Sequence, residues 1–458
     1  MKILILGAGQ VGSSAAYHLS REEANEVTVV DRRPDVLREL QDRLDIRTVV
    51  GHAAYPEVLE RAGAADADIV VALTDSDETN MVACQVAYTQ FRTPTKIARI
   101  RSAEYMNANK LFTQDAIPID VRISPEQLVC SFVEQLILYP GSTQVLDFAD
   151  GRVRLVGVMA DRDGLLVGQR IATLKDHIPT TEARIAAIYR QGNAMLPDGD
   201  TVIQEDDEVF FIADRKDIRV FMSEMRRLED PVRRVVIAGG GNIGMRLAMA
   251  LEQTNQVKLI ERDQKRARMI SERLNKAIVL VGDAADEELL LEENIDNVDV
   301  FCALTNSEEA NILSSMLSKR LGAHKVMALI NRASYVDLVE SGSIDIAISP
   351  QQITIGSLLT HVRRGDVVRV HSLRRGAAEA MEAIAHGTAE TSNVVGRTIE
   401  DIDMPKGTAI VAIVRDDTVI IAHHDTVIEA DDHVILFMTD RRRIEQLEAL
   451  FQVGVSFV

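Results

Sequence analysis

The chain has no tryptophan, and aromatic residues fill only 4% of its 458 positions. That scarcity leaves no stacking platform for bases or sugars. Positive charge is also short: 51 Lys and Arg stand against 70 Asp and Glu, a net charge of −19. Such an excess excludes the basic surface needed to grip DNA or RNA phosphates, and it opposes adhesion to anionic lipid. No apolar run approaches the roughly 18 residues of a membrane span. The three cysteines, Cys84, Cys130 and Cys302, are scattered and set among apolar neighbours. They are expected to be buried, reduced thiols, as in a cytosolic protein. With no CxxC, no HExxH and no Cys/His cluster, no metal site is assigned. A strand-like run begins at Lys2, which leaves no room for a signal peptide.

What is present is ordinary globular material, 46% hydrophobic and 26% charged. Its length suggests about three domains or more. The run Lys2-Ile3-Leu4-Ile5-Leu6 breaks into Gly7-Ala8-Gly9-Gln10-Val11-Gly12 and then into a helical pattern. In such a turn Gly7 permits the tight bend and Gly9 lets backbone approach a pyrophosphate. Gly12 permits close packing of helix on strand. A lone GxGxxG is weak evidence, but here a strand precedes it, a helix follows, and Asp31 stands 19 positions after Gly12. Strand and helix patterns alternate up to residue 124, which predicts a Rossmann-type parallel sheet. From residue 140 to 228 the pattern becomes alternating runs separated by turns such as Asp150-Gly151 and Asp198-Gly199-Asp200, a small α+β module.

The whole pattern then restarts. Arg234–Ala238 leads into Gly239-Gly240-Gly241-Asn242-Ile243-Gly244, and Glu261 takes the place of Asp31. Gly51-His52-Ala53 matches Gly282-Asp283-Ala284, and Leu73-Thr74 with Asn80 matches Leu304-Thr305 with Asn311. Asp200-Thr201-Val202-Ile203 recurs as Asp425-Thr426-Val427-Ile428. A period of roughly 230 residues is far too long for a solenoid and means a duplicated two-domain unit. The expected fold class is α/β: twice a Rossmann-like doubly wound parallel sheet plus a small α+β module. The expected boundaries are 1–124, 140–228, 232–349 and 366–454.

Asp31 and Glu261 close the second strand of each copy, where a carboxylate can accept hydrogen bonds from ribose hydroxyls and repel a 2′-phosphate. This favours NAD(H), although Arg32 and Arg262 beside them could meet a phosphate or lie over adenine. An ordinary exposed strand-end acid is the plain alternative. Thr74 and Thr305 follow the fourth strand on the ligand side of the sheet. Asp75 and Asn306 there look like helix caps, with Glu78 and Glu309 completing capping boxes. A calcium site at Asp75, Asp77 and Glu78 is the less favoured alternative, because the second copy replaces Asp75 by Asn306. His52 becomes Asp283, which is hard to reconcile with proton transfer. Arg99 on the fifth strand has Leu329 or Ile330 as its counterpart, so the two copies differ in charge.

A dehydrogenase needs a positioned acid or base beside the nicotinamide. The modules are small, and their histidines do not recur at equivalent positions, so catalysis is not expected. An NAD-dependent oxidoreductase with an atypical small substrate domain is the second reading. A redox-responsive scaffold is the third.

Several stretches carry a family resemblance: Lys2–Gly12, Asp75–Tyr88, Lys258–Asp263, Gly282-Asp283-Ala284, Asp345–Gln352 and Ser372-Leu373-Arg374-Arg375-Gly376. They resemble the RCK (KTN) domains that regulate potassium conductance, in the tandem order of the cytosolic subunits of bacterial Trk potassium-uptake systems. The resemblance covers essentially the whole chain. It implies binding of NAD(H), and of ATP or ADP, and a homotetrameric ring. It also implies docking on the cytoplasmic face of a potassium-translocating membrane subunit of the TrkH or TrkG type. By position it implies a first nucleotide site at Gly7, Ala8, Gly9, Gln10, Val11, Gly12, Asp31, His52, Leu73, Thr74 and Arg99. A second lies at Gly239, Gly240, Gly241, Asn242, Ile243, Gly244, Glu261, Asp283, Leu304 and Thr305.

Overall fold

The structure, a computed structural model, describes residues 1–22, 25–179, 182–332, 335–336, 339, 342–362, 367–373 and 378–452. The expected ends of the last module, 366 and 454, and the Arg374–Gly376 part of the resemblance lie outside them. By its contacts the chain forms two compact units, Met1–Leu128 with Ser349–Val362, and Val129–Ile348 with Arg363–Val458.

The first six strands and five helices are β1 (Lys2–Leu6), α1 (Gln10–Leu19), β2 (Glu26–Asp31), α2 (Pro34–Gln41), β3 (Arg47–Val50), α3 (Pro56–Arg61), β4 (Ile69–Ala72), α4 (Asp77–Phe91), β5 (Thr95–Arg99), α5 (Ala103–Asn107) and β6 (Val121–Ile123). The strands form one sheet in the order β3-β2-β1-β4-β5-β6, every pairing parallel. Strand order therefore reverses between β1 and β4, the crevice where doubly wound sheets hold ligands. Ile3, Leu4, Ile5 and Leu6 are all buried, as is every residue of β4. Each buried valine, leucine or isoleucine among them contributes roughly 1.5–3 kcal/mol by leaving water.

Helix α6 (Pro125–Leu138) starts in one unit and continues into the other. Then come β7 (Ser142–Phe148), β8 (Val153–Met159), α7 (Leu174–His177), β9 (Ala183–Arg190), β10 (Asn193–Met195), β11 (Glu208–Asp214) and α8 (Ile218–Met225). These five strands make an antiparallel sheet in the order β10-β9-β11-β8-β7.

The second Rossmann-type sheet comprises β12 (Arg234–Ala238), α9 (Asn242–Leu251), β13 (Gln256–Glu261), α10 (Gln264–Ser271), β14 (Ile278–Val281), α11 (Glu287–Glu292), β15 (Val300–Ala303), α12 (Glu308–Arg320), β16 (Lys325–Leu329) and β17 (Ile346–Ile348). Its order, β14-β13-β12-β15-β16-β17, repeats the first. Helix α13 (Pro350–Thr360) leads to β18 (Val367–Leu373), β19 (Ala378–Ile384), β20 (Thr408–Arg415), β21 (Thr418–Ile421), β22 (His433–Met438) and α14 (Ile444–Leu450). The last five strands form the second antiparallel sheet.

Two features depart from a simple chain of independent domains. Helix α13, at the end of the second copy, packs on α1 of the first, where Ser14 Oγ donates to Gln351 Oε1 at 3.1 Å. The two small modules are also not self-contained. Phe148, Leu155 and Phe210 of one share a single apolar core with Leu373, Ala380 and Phe437 of the other. Each module alone would expose that face to water.

One repeated sequence signal has a structural explanation in each module. Arg190 meets Asp207 through Nε–Oδ1 at 2.8 Å and Nη2–Oδ2 at 2.7 Å, and Arg415 meets Asp432 at 2.8 and 2.9 Å. Each aspartate is buried, and each guanidinium also donates to a backbone carbonyl of the recurring Asp-Thr-Val-Ile stretch, Val202 at 2.8 Å and Val427 at 2.9 Å, which ties that stretch to its sheet. The three cysteines are free and buried, and burial pushes the thiols of Cys84 and Cys302 up to about 12. No helix among the described residues is long and apolar enough to cross a membrane.

Candidate functional site

The glycine turns are built by backbone constraints that leave little choice of residue. Gly7 has φ +103°, and a Cβ there would stand 3.1 Å from the backbone of Leu73 and Thr74. A Cβ at Gly12 would lie 1.9 Å from the Gly7 carbonyl oxygen, so helix and strand can meet here only because Gly12 bears no side chain. Gly239 (φ +104°) and Gly244 repeat both features. Gly9 and Gly241 differ in kind. Each is the N-cap of its helix, in extended conformation, with nothing within 4 Å of a notional Cβ. With no capping side chain, the first-turn N–H groups are left to solvent or to an anion. Ala8 and Gly240 are not equivalent, since a Cβ at Gly240 would meet Ile270 Cδ1 at 2.2 Å.

Asp31 and Glu261 are tied to these turns. Asp31 Oδ2 accepts the Ala8 N–H at 2.7 Å and Oδ1 accepts the Arg33 N–H at 2.9 Å. Glu261 accepts from Gly240 at 3.0 Å and from Asp263 at 2.9 Å in the same way. Burial pushes the Asp31 carboxyl upward, but the two N–H groups and the Arg33 guanidinium outweigh it and hold it below the usual carboxylate range. Each acid thus fixes the shape of its glycine turn. Asp31 Oδ1 also accepts Arg33 Nε at 3.4 Å, whereas Asp31 Oδ2 and both Glu261 oxygens each keep a further lone pair for an outside donor.

The loop after the fourth strand revises the expectation of a cap. Ser76, not Asp75, caps α4 by accepting the Thr79 N–H at 3.1 Å, and Ser307, not Asn306, caps α12 at 3.2 Å from Ala310. Thr74 and Thr305 spend their hydrogen-bonding groups inside the loop. Thr74 N–H and Oγ1 both reach Asn80 Oδ1, at 3.0 and 2.6 Å, and Asn80 Nδ2 donates to Thr74 O and to Arg99 O. Asn311 does the same for Thr305 and for Leu329 O. Both asparagines are fully buried. They join the β4 loop to the end of the fifth strand, and sequence reasoning aligned them without singling them out. Asp77 turns to the Arg101 and Ser102 N–H groups, as Glu308 turns to those of Asn331 and Arg332. That commits one supposed calcium ligand to backbone.

His52 and Asp283 share one local role. His52 Nδ1 accepts the Ala54 N–H at 3.3 Å, and Asp283 Oδ1 accepts the Ala285 N–H at 2.9 Å. An acceptor two residues before an N–H is all this turn requires, so His and Asp can interchange. His52 also stacks on Tyr55, ring centroids 4.5 Å apart. The asparagine bonds identify Leu329, rather than Ile330, as the counterpart of Arg99. The hollow of about 510 Å³ beside Arg234, Asp299 and Lys325 lies at the strands' amino ends, away from the glycine turns.

Fold and turns together define a class: a duplicated RCK unit with a dinucleotide-type turn in each copy. Models of the TrkA-N domain match residues 3–125 and 235–350, and models of the TrkA-C domain match 155–226 and 388–452. The chain belongs to the TrkA family. It is 61% identical over 457 residues to the Trk system potassium uptake protein TrkA of Halomonas elongata, with 100% of both chains covered. It is 58% identical to the protein of the same name from Vibrio alginolyticus, again over the full length of both. Among solved structures, the GsuK RCK domain superposes with a TM-score of 0.61 at 18% identity, covering 98% of this chain and 95% of that one. The GsuK channel bound to NAD gives 0.61 at 19% identity, covering 98% and 79%.

Proposed function

We propose that this chain is a nucleotide-sensing regulatory subunit of a potassium-uptake system. It would bind NAD(H), and ATP or ADP, at two sites and act on a potassium-translocating membrane subunit of the TrkH or TrkG type. Its working form would be a homotetrameric ring on the cytoplasmic face of the membrane. The observation that carries the reading is the doubled glycine turn, each with an open N-cap glycine and an acid bonded to its loop. One structural neighbour is the GsuK channel bound to NAD. The small modules bury their sheets on one another, which supports a regulatory rather than a catalytic role. Only a ligand with unequal affinity for two arrangements of the ring can shift its partner's gate.

The test is stoichiometry. Gly9→Asp and Gly241→Asp put a carboxylate where the phosphates would approach, in open space and at a position that favours Asp as a cap. Calorimetric titration should find two NADH per wild-type chain, one for each single variant and none for the double. Thermal midpoints should not fall. Full binding by the folded double variant would refute the assignment.

A further inference from the structure

The hollow of about 510 Å³ at the amino ends of the second Rossmann-type sheet is framed by three parts of the chain. These are the end of α6 at Leu136 and Pro140, the linker between residues 227 and 232, and the starts of β12, β15 and β16. Doubly wound sheets hold nucleotides at the opposite, carboxyl ends of their strands, so this hollow is separate from the glycine turns. Its volume is that of a small-molecule site, and the joint between two domains is a common place for one.

Lys325 begins β16 and lines the hollow. Among the described residues its ammonium makes one hydrogen bond, to the Ser142 carbonyl oxygen at 3.2 Å, and no ion pair. An ammonium has three N–H donors, so two are left for another acceptor. The acids around it are spent elsewhere. Glu229 accepts Arg226 Nη2 at 2.8 Å, and Asp345 accepts Lys319 Nζ at 2.8 Å and the Val326 N–H at 2.7 Å. Asp299 Oδ2 takes the N–H groups of Arg233 and Arg234 at 2.7 and 2.8 Å. At the exposed rim, Asp230 and Asp296 are balanced by Arg227 and Arg234. Arg226 is itself a second cation beside Lys325, with its Nε buried and without a hydrogen-bond partner among the described residues. Burial pulls the Lys325 ammonium below its ordinary value, and Arg226 adds to this against Glu229 and Asp345. The floor of the hollow therefore carries positive charge that the protein leaves uncompensated.

The first copy has no such group. In the pairing of fourth with fifth strand, Ile69 stands opposite Thr95 and Val300 opposite Lys325, so threonine takes the place of lysine there.

We propose that this hollow binds a small oxyanion, a carboxylate or a phosphate, with Lys325 as its charge partner. An anion held between Lys325 and the linker ties the exit of the first small module to the second sheet and stiffens that joint. The proposal does not depend on what the glycine turns bind.

The test is calorimetric titration of the full chain with inorganic phosphate, citrate and glutamate, with chloride holding the ionic strength constant. At least one of the three should bind at one site per chain. Phosphate alone would make the site one for phosphates, and citrate or glutamate alone one for carboxylates. Lys325→Thr, which installs the residue of the first copy, should weaken that binding roughly tenfold or more, the loss of one charge-assisted hydrogen bond. Lys325→Met keeps the apolar stem and should do the same, so a reading survives if the threonine variant folds poorly. Lys265→Thr, at an exposed lysine of α10, should leave the affinity unchanged. Failure of all three anions to bind the wild type would overturn the proposal. So would wild-type affinity in both Lys325 variants, or an equal loss in Lys265→Thr.

Discussion

At the scale of single residues, the best-defined parts of the site are two asparagines. Asn80 gives its carbonyl oxygen to Thr74 and its amide to two backbone carbonyls, all out of contact with water. Asn80→Ala removes these partners and should cost about 1–3 kcal/mol, the range for buried groups left unpaired. Asn80→Asp should be worse near neutral pH, because a carboxylate oxygen would then face the Thr74 and Arg99 carbonyls. Such a carboxyl titrates higher in the folded than in the unfolded chain, so the stability of this variant must fall as pH rises. Thermal midpoints at pH 5 and pH 8 should show its deficit widening at pH 8, while that of Asn80→Ala stays constant. Equal deficits at both values would contradict the bond assignment. These residues were legible only in part. The internal repeat displayed Asn80 and Asn311, but a polar residue four positions into a helix is usually solvated. Its role depends on a β5 carbonyl 19 residues away. The cap falls one position later than expected because Asp75 and Ser76 are both good caps, and loop geometry rather than propensity chose the serine.

At the scale of elements, the sheets were legible because their strands carry their own signal. Apolar runs bounded by turns gave the parallel strands, and alternation gave the module strands. What could not be read was which apolar face meets which. The Ser14–Gln351 bond spans 337 residues, and the shared core of the modules joins Phe148 to Phe437, contacts without local periodicity. One element of this core bears a titratable group. His371 of β18 lies edge-on to Phe148, ring centroids 5.0 Å apart, and its Nε2 is 3.2 Å from the Asp147 carbonyl oxygen, to which it donates. Burial pushes its imidazole down to about 4 from the usual 6.5, despite the opposing bond to Asp147. Here the unfolded chain binds the proton first. Stability from the neutral imidazole is therefore complete above about pH 6.5 and declines as pH falls toward 4. Up to about 3 kcal/mol is at stake over that window. Hydrogen exchange of β7 and β18, corrected for intrinsic rate, should quicken between pH 7 and pH 5 in the wild type. In His371→Leu, which takes the residue found at the matching place in β7, the change should be much smaller. A wild-type profile flat across this window would place the imidazole in contact with water.

At the scale of the whole molecule, duplication sets what the two copies can do differently. Both keep the glycine turn and the strand-end acid, so they should share a core recognition of adenosine phosphates. They diverge at Arg99 against Leu329, so their selectivity should separate on ligand charge. On the function proposed above, the net charge of −19 bears on the approach to a membrane. An anionic bilayer attracts basic surfaces by about 1 kcal/mol per Lys or Arg and repels acidic ones within a Debye length. A chain this acidic should not find the membrane through lipid. On the function proposed above, its recruitment would come from a protein partner. Sedimentation with vesicles of 30% phosphatidylglycerol should therefore leave the protein in the supernatant at both 50 and 300 mM salt. Vesicles containing the potassium-translocating subunit should bring it down, and more salt should not rescue binding to the bare lipid. Cosedimentation with bare anionic vesicles at low salt would show a lipid-facing basic surface and would remove the need for a partner in the docking step.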